Sequence, residues 1–102
     1  MLEIRPNCEL CDKDLAADSE DARICTYECT FCANCVASVL MNVCPNCGGG
    51  FEKRPIRPAI ANRDGVSLVH QPASIKRVHT KYSARQIGEF AQLIKSTKKG
   101  PK

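Results

Sequence analysis

Eight cysteines in a chain of 102 residues constrain the fold more than any other feature. All of them lie before residue 48, in four close pairs: Cys8 and Cys11, Cys25 and Cys29, Cys32 and Cys35, Cys44 and Cys47. Two residues separate the members of three pairs, and three separate those of the second pair. Such short spacing lets two thiolates face one ion, so the pattern predicts two closed four-sulfur zinc sites.

Metal, rather than a large apolar core, is expected to organise this part of the chain. Aromatic residues make up only 5% of the sequence and Trp is absent. A structural zinc site contributes about 10–16 kcal/mol of apparent binding free energy, more than a small core supplies net. We therefore expect the metal-free chain to be unfolded. Because sulfur fills every ligand position, the ions should be structural and not catalytic.

Two other uses of the cysteines stay open. Four disulfide bridges would satisfy eight thiols, but they need an oxidising compartment, and the chain begins without a visible export signal. Iron is the other alternative, because Cys44-Pro45-Asn46-Cys47-Gly48 resembles one loop of a rubredoxin. That reading would make the protein an electron carrier with sulfur-ligated iron.

The cysteine pattern resembles the RING family over residues 8–47. Cys29-Thr30-Phe31-Cys32-Ala33-Asn34-Cys35-Val36 is similar to the family's run of ligand, Phe, Cys and aliphatic residues, and Cys44-Pro45-Asn46-Cys47 to its closing Cys-Pro-x-Cys. The resemblance implies a small α+β, treble-clef fold with a cross-brace, in which alternate pairs share an ion. It assigns one zinc ion to Cys8, Cys11, Cys32 and Cys35, and the other to Cys25, Cys29, Cys44 and Cys47.

The same resemblance implies a protein-binding groove formed by Leu10, Val36, Leu40 and Pro45. Many RING ligases place an aliphatic residue at the position of Leu10, where it touches the ubiquitin-conjugating enzyme, so ubiquitin-ligase-like activity is an alternative function. The chain departs from the family at Cys29, where His is usual, and at Gly48, where active ligases often have a basic residue. Through Gly50 it also resembles a family of short, uncharacterised, all-cysteine proteins found mainly in bacteria, which implies no eukaryotic-type ubiquitin partner.

Local patterns place secondary structure around the cysteines. The β-rich residues 22–27 and the pair Thr30-Phe31 predict a short hairpin. Apolar residues recur at helical spacing over residues 36–43 and predict a two-turn helix. Together these elements form a double-zinc domain over residues 1–51.

Charge changes sign after this domain. Residues 1–51 hold three basic and eight acidic side chains, a formal net charge of −5, whereas residues 52–102 hold twelve basic and three acidic ones, a net of +9. The basic half is a candidate for nucleic-acid binding, although few aromatic residues are interleaved for stacking on bases. Alternatively, it attaches to the acidic half of the same chain.

Proline-containing residues 52–82 predict an irregular strap or linker. An amphipathic helix over residues 83–95 follows, with Ser83 as N-cap and Gln86 as its capping-box partner, and a basic tail covers residues 96–102. The face formed by Ile87, Phe90 and Ile94 needs a surface, which is the zinc domain, a second copy of the chain in a homodimer, or another protein.

We therefore predict a zinc-binding interaction module, not an enzyme, whose partner is a protein, with nucleic acid as the alternative. No run of 18 apolar residues is present, which predicts that the chain does not span a membrane. The lack of an export signal predicts a cytoplasmic location.

Overall fold

The computed structural model describes residues 1–97. The elements in chain order are strands β1 (Ala22–Ile24) and β2 (Thr30–Cys32), helix α1 (Ala33–Cys35), a π-helical turn (Val36–Leu40), strand β3 (Glu52–Lys53) and helix α2 (Ala84–Ser96). The strands form one antiparallel sheet in the order β2-β1-β3. The prediction of a small α+β fold is confirmed. Within residues 1–97, every helix is too short or too polar to cross a bilayer.

The β1–β2 hairpin forms where the sequence predicted it. Ala22 lies opposite Cys32, and Ile24 opposite Thr30. Strand β1 stops earlier than expected, because residues 25–29 form a tight loop that is closed by the Cys25 N–H donating to the Cys29 carbonyl at 3.2 Å. This loop places the second cysteine pair at the end of the hairpin.

Strand β3 was not predicted, and it lies in the segment assigned to the irregular strap. Lys53 pairs with Arg23 and Glu52 with Ile24, which extends the sheet past residue 51. Phe51, just before the strand, packs edge-on against Phe31 with the ring centroids 5.5 Å apart. A strand of two residues is too short to show a period-two pattern, so only the pairing with β1 defines it.

The helical segment after β2 differs from the prediction in position and in pitch. It covers residues 33–40 rather than 36–43, and its last turn is π-helical. It ends because Met41 and Asn42 adopt left-handed backbone conformations, with φ of 54° and 60°. Leu40 and Val43 are nonetheless buried, so the apolar stripe faces the core as its spacing indicated.

The core joins the apolar residues to the cysteines in one cluster. Its principal apolar members are Leu15, Ala22, Phe31, Val36, Leu40, Phe51 and Ile87. Arg54 is also buried, and its guanidinium donates to the carbonyls of Arg5 and Ala16, each at 2.9 Å. Burial lowers the pKa of Arg54, and the two carbonyls supply polar partners for its side chain in the interior.

Part of the basic half runs along the N-terminal loop as a strap. The Ser74 N–H donates to the Ile4 carbonyl at 2.9 Å, and the Thr80 N–H to the Glu9 carbonyl at 2.7 Å. Between them, the buried side chain of Asn7 donates to the Val78 carbonyl at 2.8 Å and accepts from the Val78 N–H at 3.2 Å. These contacts fix residues 74–80 against the first cysteine loop.

Helix α2 begins at Ala84 with the predicted capping box. The Ser83 side chain accepts from the Gln86 N–H at 3.2 Å, and the Gln86 side chain accepts from the Ser83 N–H at 2.8 Å. Ile87 and Ala91 are buried, and the helix packs on the π-helical turn of the same chain. Of the three surfaces expected for its apolar face, the cysteine-rich domain of the same chain is the one that Ile87 contacts. Residues 98–102, most of the predicted basic tail, lie outside the described residues.

The substitution Ile87→Ala is expected to lower the free energy of unfolding by about 2–4 kcal/mol, because it opens a cavity in the core. Leu93, on the same helix, is 58% exposed. Leu93→Ala should therefore change stability by no more than about 0.5 kcal/mol. Urea denaturation at a fixed metal concentration, followed by circular dichroism, measures both. Equal losses in the two variants would contradict the docking of α2.

Candidate metal centres

The first and fourth cysteine pairs are held by the same backbone loop. In both loops the N–H of the first cysteine donates to the carbonyl five residues later, at 2.8 Å. The N–H four residues later donates back to that cysteine's carbonyl, at 2.9 Å in the first loop and 2.8 Å in the fourth. The residue after the second cysteine is left-handed in each, with φ of 65° for Asp12 and 79° for Gly48. This turn folds each pair of thiols toward one side.

Cluster one consists of Cys8, Cys11, Cys32 and Cys35, whose sulfurs all lie within 4.8 Å of one another. The sulfurs of Cys11 and Cys32 are 3.8 Å apart. A tetrahedral zinc ion with Zn–S bonds of about 2.3 Å spaces its sulfurs by about 3.8 Å. The cluster therefore has the size and the donor set to hold one tetrahedral cation, between the first loop and the start of α1.

Cluster two consists of Cys25, Cys44 and Cys47, whose sulfurs also lie within 4.8 Å of one another. Cys29 lies beside them and interacts with the thiols of Cys44 and Cys25, although its sulfur is not within 4.8 Å of all three. The Asn46 side chain donates to the Cys29 sulfur at 3.3 Å. All eight predicted residues thus lie in or beside two clusters that could bind metal. A four-sulfur site here requires Cys29 to approach the other three.

The thiols of cluster two share their protons unequally. The interaction with the Cys44 thiol lowers the pKa of Cys29 to about 5, and the same interaction, together with burial, raises the pKa of Cys44. Burial raises the pKa of Cys25 to about 11. Neighbouring thiolates repel one another, so ionisation of one opposes ionisation of the next. A divalent cation removes this conflict, because it favours the thiolate form of every ligand.

In cluster one, backbone N–H groups favour the thiolate form of one cysteine, as a bound cation would. Burial opposes ionisation of Cys8, but hydrogen bonds from the N–H groups of Cys11, Cys32 and Leu10 outweigh it and lower its pKa. Burial raises the pKa of Cys35. The first loop therefore presents at least one sulfur whose charge the backbone already stabilises.

Glu9, inside the first loop, is a supporting residue that the sequence analysis missed. Its carboxylate is 2% exposed, and it accepts from the Arg5 guanidinium at 2.7 Å and from the Thr30 N–H at 2.6 Å. Its own N–H donates to the Thr30 carbonyl at 2.9 Å. Glu9 thus ties the first loop to strand β2, which ends at Cys32. An acidic residue between two cysteines gives no sequence signal for burial.

The groove predicted at Leu10, Val36, Leu40 and Pro45 is not an open surface. Val36, Leu40 and Pro45 are buried, and Leu10 is partly buried against the core. Helix α2 packs over this face, because its apolar stripe needs a surface and the π-helical turn supplies one. A cavity of about 290 Å³ remains at the junction, lined by Pro45, Asn46, Tyr82, Gln86, Ile87 and Phe90.

Five basic side chains of the second half form ion pairs or hydrogen bonds with other residues of the described chain. Lys53 pairs with Glu20 and Arg85 with Glu89, while Arg77 bridges Asp12 and Asp14 at 2.9 and 2.7 Å. Arg54 and Arg57 donate to backbone carbonyls. These contacts use positive charge that a nucleic-acid surface would need.

Comparison with known proteins agrees with this pattern of cysteines. Residues 1–57 match a family described as "Protein of unknown function (DUF1272)", a match that covers more than half of the chain and all eight cysteines. The chain belongs to this family. "Uncharacterized protein R02474" of Rhizobium meliloti (strain 1021) is 55% identical over 78 residues, which are 76% of this chain and 86% of the relative. No solved structure matches the chain.

The DUF1272 match ends beyond β3 and Arg54, so the family region includes the third strand as well as both clusters. The expected resemblance to a family of uncharacterised, cysteine-rich proteins is therefore confirmed. The 78 residues shared with the Rhizobium relative exceed the 57 of the family match, so at least part of that similarity lies in the second half.

Substituting Glu9→Ala in this DUF1272 protein is expected to lower the free energy of unfolding by about 2–3 kcal/mol, because the buried Thr30 N–H and the Arg5 cation lose their acceptor. Glu3 also pairs with Arg5, at 3.0 Å, but its side chain is 37% exposed. Glu3→Ala should therefore cost less than about 1 kcal/mol. Chemical denaturation at a fixed metal concentration compares the two. A loss for Glu9→Ala no larger than for Glu3→Ala would show that the carboxylate does not join the first loop to β2.

Proposed function

We propose that this protein is a structural zinc module that presents a protein-binding surface. One zinc ion is held by Cys8, Cys11, Cys32 and Cys35, and the other by Cys25, Cys29, Cys44 and Cys47, in a RING-like cross-brace. The observation that carries the proposal is the composition of the clusters. Each one joins cysteine pairs that alternate along the chain, so each ion links loops that are distant in sequence.

Four sulfur ligands on each ion leave no coordination position for water or substrate. The ions therefore act as crosslinks and not as catalysts. Formally, each four-thiolate site with a divalent ion carries a charge of −2. The acidic residues around the first loop and the basic strap then attract each other, as the Arg77 ion pairs with Asp12 and Asp14 illustrate.

The protein-binding surface is the exposed part of the fourth loop around Asn46, next to the portion of the groove that α2 covers. Of the five aromatic residues in the chain, Phe31 and Phe51 pack together in the core. The other three surround Asn46: Tyr82 and Phe90 line the 290 Å³ cavity with it, and Tyr27 lines a neighbouring hollow of about 350 Å³ with Asn46 and Cys47. Aromatic side chains are enriched at protein interfaces, and Tyr27 is 72% exposed.

Elemental analysis of the purified protein tests the metal proposal. We expect two zinc ions per chain and a colourless solution. Removal of both ions by a chelator should abolish the native circular dichroism spectrum, because the ions supply most of the folding free energy. A visible absorption band with bound iron would instead favour the electron-carrier alternative. A native spectrum after confirmed metal loss would contradict a structural role.

Tyr27→Ala tests the surface. Its backbone N–H still donates to the Cys25 sulfur, so zinc content and unfolding should stay the same. We expect partners captured by in-cell crosslinking with the wild type to be lost with Tyr27→Ala. Ile75→Ala, at another exposed apolar residue, is the matched control and should retain them. Loss with Ile75→Ala alone would place the surface on the strap instead.

A further inference from the structure

The eight cysteines differ sharply in their exposure to solvent. In cluster one, Cys8, Cys32 and Cys35 are at most 5% exposed, whereas Cys11 is an exposed residue. In cluster two, Cys25, Cys29 and Cys44 are buried, and Cys47 is half-buried. Cys11 is therefore the cysteine among the eight whose side chain solutes reach most readily. A sulfur ligand of this kind remains open to attack even when its metal site is otherwise closed.

The basic residue nearest to Cys11 in sequence is Lys13, which is held in an ion pair with Asp21 at 2.6 Å. Because Asp21 offsets its charge, Lys13 does not make the surroundings of the sulfur electropositive. What favours reaction at Cys11 is its exposure, a feature that reactive cysteines share.

A second thiol lies within reach of the first. The Cys32 sulfur is 3.8 Å from the Cys11 sulfur and is almost completely buried behind it. A disulfide bond needs a separation of about 2.05 Å, so the two sulfurs have to approach by less than 2 Å. An accessible thiolate beside a resolving cysteine is the usual arrangement of a thiol that peroxide oxidises reversibly.

We propose that Cys11 is a peroxide-oxidation site and that Cys32 is its resolving cysteine, a proposal that rests on the zinc occupancy proposed above. The Cys11 thiolate attacks one oxygen of hydrogen peroxide; an S–O bond forms, the O–O bond breaks, and hydroxide leaves. The Cys32 thiolate then attacks the Cys11 sulfur, forming the S–S bond and expelling the second hydroxide. The two sulfurs lose two electrons, peroxide gains them, and two protons from solvent complete two water molecules.

Oxidation removes two of the four ligands from cluster one. Cys8 and Cys35 alone hold zinc weakly, so this ion is released, while cluster two keeps its own. The new disulfide joins the same two segments that the ion joined, the first loop and the end of β2. The hydrogen bonds between Glu9 and Thr30 also connect these segments, so we expect the sheet to persist in the oxidised form.

The test uses the whole 102-residue chain loaded with zinc, with its zinc content measured before any oxidant is added. Hydrogen peroxide is added in small steps, a colorimetric chelator follows released zinc, and non-reducing peptide mapping locates the first disulfide. We expect half of the zinc to leave in a fast phase, with a disulfide between Cys11 and Cys32. Reduction with excess zinc should restore both. A first disulfide among Cys25, Cys29, Cys44 and Cys47 would overturn the proposal.

Two matched variants identify the cysteine that is responsible for the fast phase of zinc release. Cys11→His keeps a zinc ligand at this position but cannot form the disulfide, so the fast phase should disappear. Cys47→His makes the same change at the half-buried cysteine of cluster two and should leave the fast phase unchanged. Loss of the fast phase in Cys47→His, with retention in Cys11→His, would assign the reactive thiol to cluster two.

The two proposals fail in different ways. A purified protein with fewer than two zinc ions contradicts the proposed function before oxidant is added. In that case, peptide mapping after peroxide still decides whether Cys11 is the first thiol modified. Two bound zinc ions that leave together, with no preference for Cys11, would contradict the oxidation proposal alone.

Discussion

The rest of the structure depends on two groups of sulfur atoms brought within a few ångströms of one another. Four thiolates at that separation repel strongly, and the interaction between the Cys29 and Cys44 thiols moves their pKa values in opposite directions. A divalent cation reverses the sign of this interaction and converts the repulsion into a crosslink. Because each cluster joins segments that are distant in the chain, one ion bound in it would replace many of the apolar contacts that a short sequence poor in aromatic residues lacks.

The segments that follow the cysteine clusters pack against the cysteine domain and complete the fold. Strand β3 adds the third strand, and Phe51 closes over Phe31. The strap lies along the first loop through backbone hydrogen bonds and through the buried Asn7 side chain, and α2 covers the face beside the fourth loop. These elements bury surface that the cysteine domain would otherwise expose. The basic half is therefore partly a structural partner of the acidic half.

Local signals explain which elements could be predicted. The hairpin follows from β-rich residues on either side of a cysteine loop, and α2 from a capping box and an apolar stripe, all encoded within about a dozen residues. The eight metal-binding candidates follow from pair spacing alone. By contrast, β3 has two residues, Glu9 looks like a surface carboxylate, and Asn7 meets Val78 across 71 positions. Contacts of such long range leave no periodic pattern in the sequence.

For the groove around Pro45, the sequence-based expectation and the tertiary structure differ. Its residues were assigned from the RING resemblance, but α2, which begins only at Ala84, packs over the surface they form. The sequence by itself determined the donor atoms, their pairing into short loops, and the helix with its apolar face, because each depends on neighbours a few residues apart. The RING resemblance assigned which pairs share a cluster, but only the tertiary structure decided that Cys11 stays exposed while Cys32 does not, and which surface α2 covers. Those outcomes depend on burial and packing between segments that are remote in sequence, and local spacing does not encode them.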